Sequence, residues 1–108
     1  VLNLPLKSKD DQWLKHILRR QRPEIVIYLG GPGTREWVEK DTAMAERLHS
    51  TLPGEILKAT ETMIERFIYV SSCSVFDGHR GNYKETDPQT ANSLIGKYKA
   101  GAENWIKG

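Results

Sequence analysis

Three short clusters carry side chains whose types and spacing suit chemistry: Ser71-Ser72-Cys73-Ser74, the turn Gly30-Gly31-Pro32-Gly33, and the segment Gly96-Lys97-Tyr98-Lys99. A serine at a strand end can hydrogen-bond a reacting oxygen, or it can cap the loop that follows. A thiol such as Cys73 becomes a nucleophile when a base lies close, and the sequence places no base beside it, so it reads as a small, half-buried side chain. Glycine-rich turns let backbone amides approach phosphate, but Pro32 removes one of the amides such a cradle needs. Residues 30–33 therefore read as a plain turn past which a ligand can run. His16, His49 and His79 share no ligand spacing and predict no metal site.

The elements that would position these groups follow from the apolar pattern. Asp10 and Asp11 precede Trp13, Leu14, Ile17 and Leu18 at three-to-four spacing, which predicts a helix over about 9–20 with cations in its later turns. Ile25 to Leu29 is a β-branched and aromatic run, read as a strand buried on both faces of a parallel sheet. Trp37, Met44, Leu48, Leu52, Ile56, Ala59 and Met63 form a stripe of steps near four, predicting one long helix over about 36–64, bent or restarted near Pro53. Phe67 to Val70 is a second strand of the buried type. The stretch 77–89, with Gly78, Gly81 and Pro88, is a loop over the site mouth, and Asn92 is placed to cap a last helix over about 92–107. Another short apolar run, Val1 to Leu4, is counted as a third strand. It opens the chain without a methionine or a preceding element, as the middle of a longer chain would.

Alternating strands and helices predict an α/β fold, a partial Rossmann-like parallel sheet with helices on both faces in three layers, and one domain over 1–108. Ligands of such sheets lie beyond the carboxyl ends of the strands, here Gly30 to Gly33 and Ser71 to Ser74. Composition agrees with one globular domain: 108 residues, 38% hydrophobic, 28% charged. A net charge of +2, with basic residues scattered among acidic ones, argues against nucleic acid as a partner. No run approaches ~18 apolar residues, so no membrane span is expected. One cysteine forbids an intrachain disulfide and suits a reducing, cytoplasmic setting.

The run from Phe67 to Gly78, followed by Tyr83-Lys84-Glu85-Thr86-Asp87-Pro88 and then Gly96-Lys97-Tyr98-Lys99 with Glu103, resembles the extended short-chain dehydrogenase/reductase family. It is most similar there to the dTDP-4-dehydrorhamnose reductases and sugar-nucleotide 4-epimerases. Arg22 to Gly31 is similar to that family's fourth strand and its turn beside the nicotinamide. The resemblance covers most of the chain and implies NAD or NADP as cofactor, a nucleotide-sugar as substrate, and transfer of hydride with a tyrosine moving the proton. It assigns Ser72 and Lys99 to catalysis, and Gly30, Gly31, Ser71 and Lys99 to the cofactor. It also implies a homo-oligomer through the helices near 36–64 and 92–107.

Two departures stand beside the match. The family's tyrosine, four residues before its lysine, falls on Ile95, which has no proton to give. Tyr98 lies about 4.5 Å further along the axis and some 60° around it, so its phenol starts from the wrong place. The glycine-rich turn that grips the cofactor pyrophosphate is absent from the sequence, and the asparagine position of the long helix falls on or near His49. The expectation is therefore a truncated or non-catalytic relative, a pseudoenzyme that binds no cofactor in this chain. The alternative is a binding or assembly module that reuses the fold.

Overall fold

The computed structural model describes residues 11–108. The strand expected at 1–4 and the start of the first helix lie outside the described residues. Helix α1 spans Asp11–Gln21. It ends where Arg22 turns to φ 46° and donates its N–H back to the Leu18 carbonyl, ahead of Pro23. Strands β1 (Ile25–Tyr28) and β2 (Arg66–Tyr69) pair in parallel, with Val26 beside Phe67 and Tyr28 beside Tyr69. This is the parallel α/β arrangement the sequence predicts.

The long helix differs from expectation. Instead of one helix over 36–64 bent or restarted only near Pro53, it is a relay: α2 (Arg35–Lys40), α3 (Thr42–Glu46), a π-helical turn (Arg47–Thr51) and α4 (Leu52–Thr60). The sharp break falls at Asp41, not at the proline. Asp41 leaves helical dihedrals (φ −143°, ψ 80°) so that its carboxylate can accept from the Met44 amide at 3.1 Å, the ordinary work of an N-cap. Thr34 caps α2 in the same way.

Pro53 acts differently, by widening the helix. The Leu52 N–H reaches back five residues to the Arg47 carbonyl, and Pro53 has no N–H to offer. Carbonyls of Leu48 and His49 are thereby left for other donors. The Tyr28 hydroxyl donates to Leu48 and the Tyr69 hydroxyl to His49, the latter at 3.2 Å. Both phenols come from the sheet face beneath, where their rings stack with centroids 6.0 Å apart. A proline in the helix thus ties the helix to both strands.

The core gathers on that same face: Leu14, Leu18, Tyr28, Leu48, Leu52 and Ile56 are buried together, with Val26, Phe67 and Tyr69 packed against them. Leu48 and Leu52, on the helix through which the resemblance implies oligomerisation, are core residues. The strands are not buried on both faces among the described residues. Ile25, Ile27, Ile68 and Val70 point away from the helices, Ile27 is 58% exposed, and Leu29 just beyond β1 is 72% exposed.

After β2 comes a 3-10 turn (Cys73–Val75), the loop to residue 93, and α5 (Leu94–Lys107). The loop is tied internally: Tyr83 stacks on Phe76 at 4.5 Å and donates to the Asp77 carboxylate at 2.6 Å, and Arg80 pairs with Asp87. The Tyr83 hydrogen bond, and after it the bond from the His79 amide at 2.9 Å, hold the Asp77 carboxyl below its ordinary value. Ser93, one residue later than the expected Asn92, caps α5 through the Gly96 amide at 3.1 Å, because a cap must stand three residues before the amide it satisfies. Helix α5 then packs on α4 so closely that a side-chain carbon at Gly54 would come 2.7 Å from the Trp105 ring.

Candidate functional site

The carboxyl ends of β1 and β2 bring together Gly30 to Gly33, Val70 to Ser74, the π-helical turn and the first half of α5. Gly30, Gly31, Ser71, Ser72 and Lys99, the residues assigned by the resemblance, all belong to these segments, whereas His16 lies on α1 and His79 in the exposed loop. Lys99 is only 8% exposed, and its ammonium is turned inward. It reaches the Val70 carbonyl at 3.4 Å and lies 5.6 Å from the centre of the Tyr69 ring. Burial lowers its pKa, against the pull of Glu103. Burial also pushes the Tyr69 phenol up to about 12, so its bond to the His49 carbonyl persists across the whole neutral range.

His49 is the most enclosed polar residue of the site, 1% exposed. Its Nε2 lies 2.9 Å from the Pro32 carbonyl, which can only accept, so Nε2 carries the hydrogen and Nδ1 is a bare lone pair. That Nδ1 is buried without a partner. It faces Gly30, where a side-chain carbon would sit 3.4 Å from Nδ1 and 3.8 Å from the Lys99 ammonium. Gly30 has φ +83°, a conformation glycine adopts freely.

Ser71 has a buried hydroxyl, also without a partner. Ser72 caps the 3-10 turn: its oxygen accepts from the Ser74 amide at 3.2 Å and from the Ser74 hydroxyl at 3.0 Å, leaving only its own proton to offer. Cys73 is exposed, where the sequence reading had it half-buried, because the turn directs it outward. Ile95 packs its δ-carbon against Gly33, at the edge of a groove of about 470 Å³ lined by Gly33, Arg35, Val38, Ser93 and Ile95. Tyr98 is half-buried. Among the described residues no group of three His, Cys, Asp or Glu side chains could hold a metal, and no helix is long and apolar enough to cross a membrane.

With the parallel strand pair, the serine-rich turn and the lysine of α5 in one place, comparison with known proteins becomes specific. Residues 4–108 match the family described as RmlD substrate binding domain. The chain belongs to that family. Methionine adenosyltransferase 2 subunit beta of Pongo abelii is 28% identical over 97 residues, and that of Rattus norvegicus 27%. Both matches cover 90% of this chain, which spans 29% of the length of these curated relatives. A solved structure titled hypothetical dTDP-4-dehydrorhamnose reductase, from Sulfolobus tokodaii, superposes with a TM-score of 0.83 at 24% identity, over 96% of this chain and 37% of that one. That likeness establishes the Rossmann-like fold.

For this RmlD-family chain the dinucleotide implied by the resemblance can be tested against the residues present. The space beside the glycines is taken from within, by His49 at Gly30, Leu48 at Gly31 and Ile95 at Gly33. The Lys99 ammonium is engaged by Val70 and Tyr69, and the Ser71 hydroxyl is enclosed. As arranged, neither the Lys99 ammonium nor the Ser71 hydroxyl is presented to a nicotinamide dinucleotide. Sequence reasoning missed the two phenols that hold the π-helical turn. The available signal was Pro53 itself, which four residues after His49 must leave a carbonyl unbonded.

Proposed function

We propose that this chain is part of a sugar-nucleotide-reductase-like protein that has lost proton transfer and serves binding or assembly. The observation that carries this reading is Ile95. It stands four residues before Lys99, where the resemblance puts the proton-carrying tyrosine, and it is packed as a hydrocarbon on Gly33. A hydride cannot reduce a ketone productively unless the oxygen gains a proton, and the missing donor is worth on the order of 10²–10⁴ in rate. Two of the relatives bear the name of a subunit, which supports an assembly role. The unpaired Cys73 suits a cytoplasmic setting.

In this 108-residue chain, NADH and NADPH are expected to show no saturable binding in the low micromolar range by nicotinamide fluorescence. Oxidation of either in the presence of dTDP-4-dehydrorhamnose should stay at background. Ile95→Tyr should raise whatever turnover exists, whereas Tyr98→Phe should leave it unchanged. Tight one-to-one dinucleotide binding, or a large loss on Tyr98→Phe with the fold intact, would show that the site is active and that the proton carrier has moved.

Assembly has its own support in the exposed strand face of Ile25, Ile27, Leu29, Ile68 and Val70, with Leu94 and Trp105 exposed on α5. Self-association is the expected outcome. Sedimentation equilibrium at micromolar concentration should give a mass above that of one chain, and a compact, cooperatively folding monomer would refute it.

A further inference from the structure

We propose that His49 is a protonation-operated latch that holds the Gly30–Gly33 turn against the π-helical turn and releases it on acidification. The geometry has three parts. First, the imidazole spans the two elements: its backbone belongs to the π-helical turn, and its Nε2–H is spent on the Pro32 carbonyl at 2.9 Å. Second, the tautomer is forced, because a carbonyl accepts and never donates, so Nδ1 stays bare inside the protein with no donor to meet it. Third, Nδ1 and the Lys99 ammonium converge on the same small space beside Gly30.

A proton added at Nδ1 would create an imidazolium with a buried, unbonded N–H facing a lysine ammonium. Burial and then Lys99 oppose that charge, while the Pro32 bond favours it, and the balance lowers the histidine from its ordinary value of 6.5.

Among the described residues, no carboxylate acts on the ring to offset the charge. From α5 the facing group is Lys99, itself influenced by Glu103; from β2 it is Tyr69, whose hydroxyl bonds the His49 carbonyl. From β1 comes Tyr28, bonded to Leu48. Within the π-helical turn Arg47 pairs with Glu55 at 3.4 Å. Ser71 adds an enclosed hydroxyl.

The escape from this conflict is for the ring to leave the Pro32 carbonyl and reach water. The turn then loses its side-chain anchor at the Pro32 carbonyl, and Gly31 and Gly33 can withdraw from Leu48 and Ile95, which they touch too closely to admit a side-chain carbon. Gly33 and Ile95 form one wall of the groove beside α2, so release of the latch widens it. The sign follows directly: the closed state prefers neutral His49, so closure is complete above 6.5 and weakens as pH falls from there toward the lowered value of the closed state.

Backbone amide NMR of this chain between about pH 8 and about pH 5 tests this. The amide shifts of Gly31, Gly33 and Thr34 should stay fixed above 6.5 and move toward their unstructured values as pH falls below it, in step with the His49 ring. Core amides such as Ile56 and Ala102 should keep theirs. His49→Asn retains a donor for Pro32 but no titration, and should keep the turn closed throughout; His49→Phe should leave it open throughout. Ring nitrogen NMR on the unaltered protein gives a readout that needs no variant. Nδ1 should appear as a bare acceptor at neutral pH and titrate below 6.5 together with the opening. Turn shifts that stay flat, a change in step with the core, an unchanged response in His49→Asn, or a His49 that titrates at or above its ordinary value would each overturn the latch.

Discussion

Replacing Gly96 by alanine is expected to cost about 3 kcal/mol, the upper range of overpacking. The added carbon would lie 2.1 Å from the Ser74 carbonyl oxygen, well inside any real contact, and 2.9 Å from both the Ser74 carbonyl carbon and the Ser93 hydroxyl. Ser74 cannot retreat without breaking the 3-10 turn that Ser72 caps, so α5 must move instead. That displacement would carry Ile95 away from Gly33 and loosen Lys99 from Val70. Gly101 on the same helix is the control. Its added carbon would meet only the Ser50 hydroxyl at 3.1 Å, a side chain able to turn aside, and alanine is favoured over glycine in a helix by about 1 kcal/mol. Urea unfolding should therefore show a large loss for Gly96→Ala and little or none for Gly101→Ala. Equal effects would mean that the helix start is not held where the structure has it.

Removing the two phenol hydroxyls should have the next largest effect. Tyr28→Phe leaves the Leu48 carbonyl buried without a donor, and Tyr69→Phe does the same to His49, each costing about 1–3 kcal/mol. The ring stack stays, so the loss reports the hydrogen bond and not the packing. Pro53→Ala supplies the missing N–H, and in that background Tyr69→Phe should cost less, with a coupling of about 1 kcal/mol. A thermodynamic cycle by urea unfolding measures this. Strict additivity would show that the π-helical turn does not depend on the proline for its free carbonyls.

Much of the scaffold was legible in the letters because it is decided locally. The β-branched run at 25–29 and the aromatic run at 67–70 have few conformations other than strand, and strands separated by a helix must pair in parallel through a crossover. The reductase-like match rested on residues close together in sequence: the serine-rich turn after β2, the loop with Asp77 and Tyr83, and the spacing from Ile95 to Lys99. Helix breaks were harder, since Pro53 looked like the interruption and Asp41 made it. A proline near a helix start costs little, whereas an aspartate able to accept from an amide three residues on begins a new helix.

What tertiary structure decided is where the polar atoms of the site point. Lys99 could have faced solvent or ligand; it faces Val70, 29 residues away, because the end of β2 lies under α5. The tautomer of His49 is set by a carbonyl 17 residues earlier, and the carbonyls freed by Pro53 find phenols 20 residues away in either direction. The apolar runs read as strands buried on both faces, and only the packing of α1, α4 and the π-helical turn over Tyr28 and Tyr69 decided which face is covered, leaving Ile25, Ile27, Ile68 and Val70 exposed. Local pattern specifies which backbone forms, since caps, branching and turns act within a few residues. Orientation and protonation depend on partners that only the folded chain brings within hydrogen-bond reach.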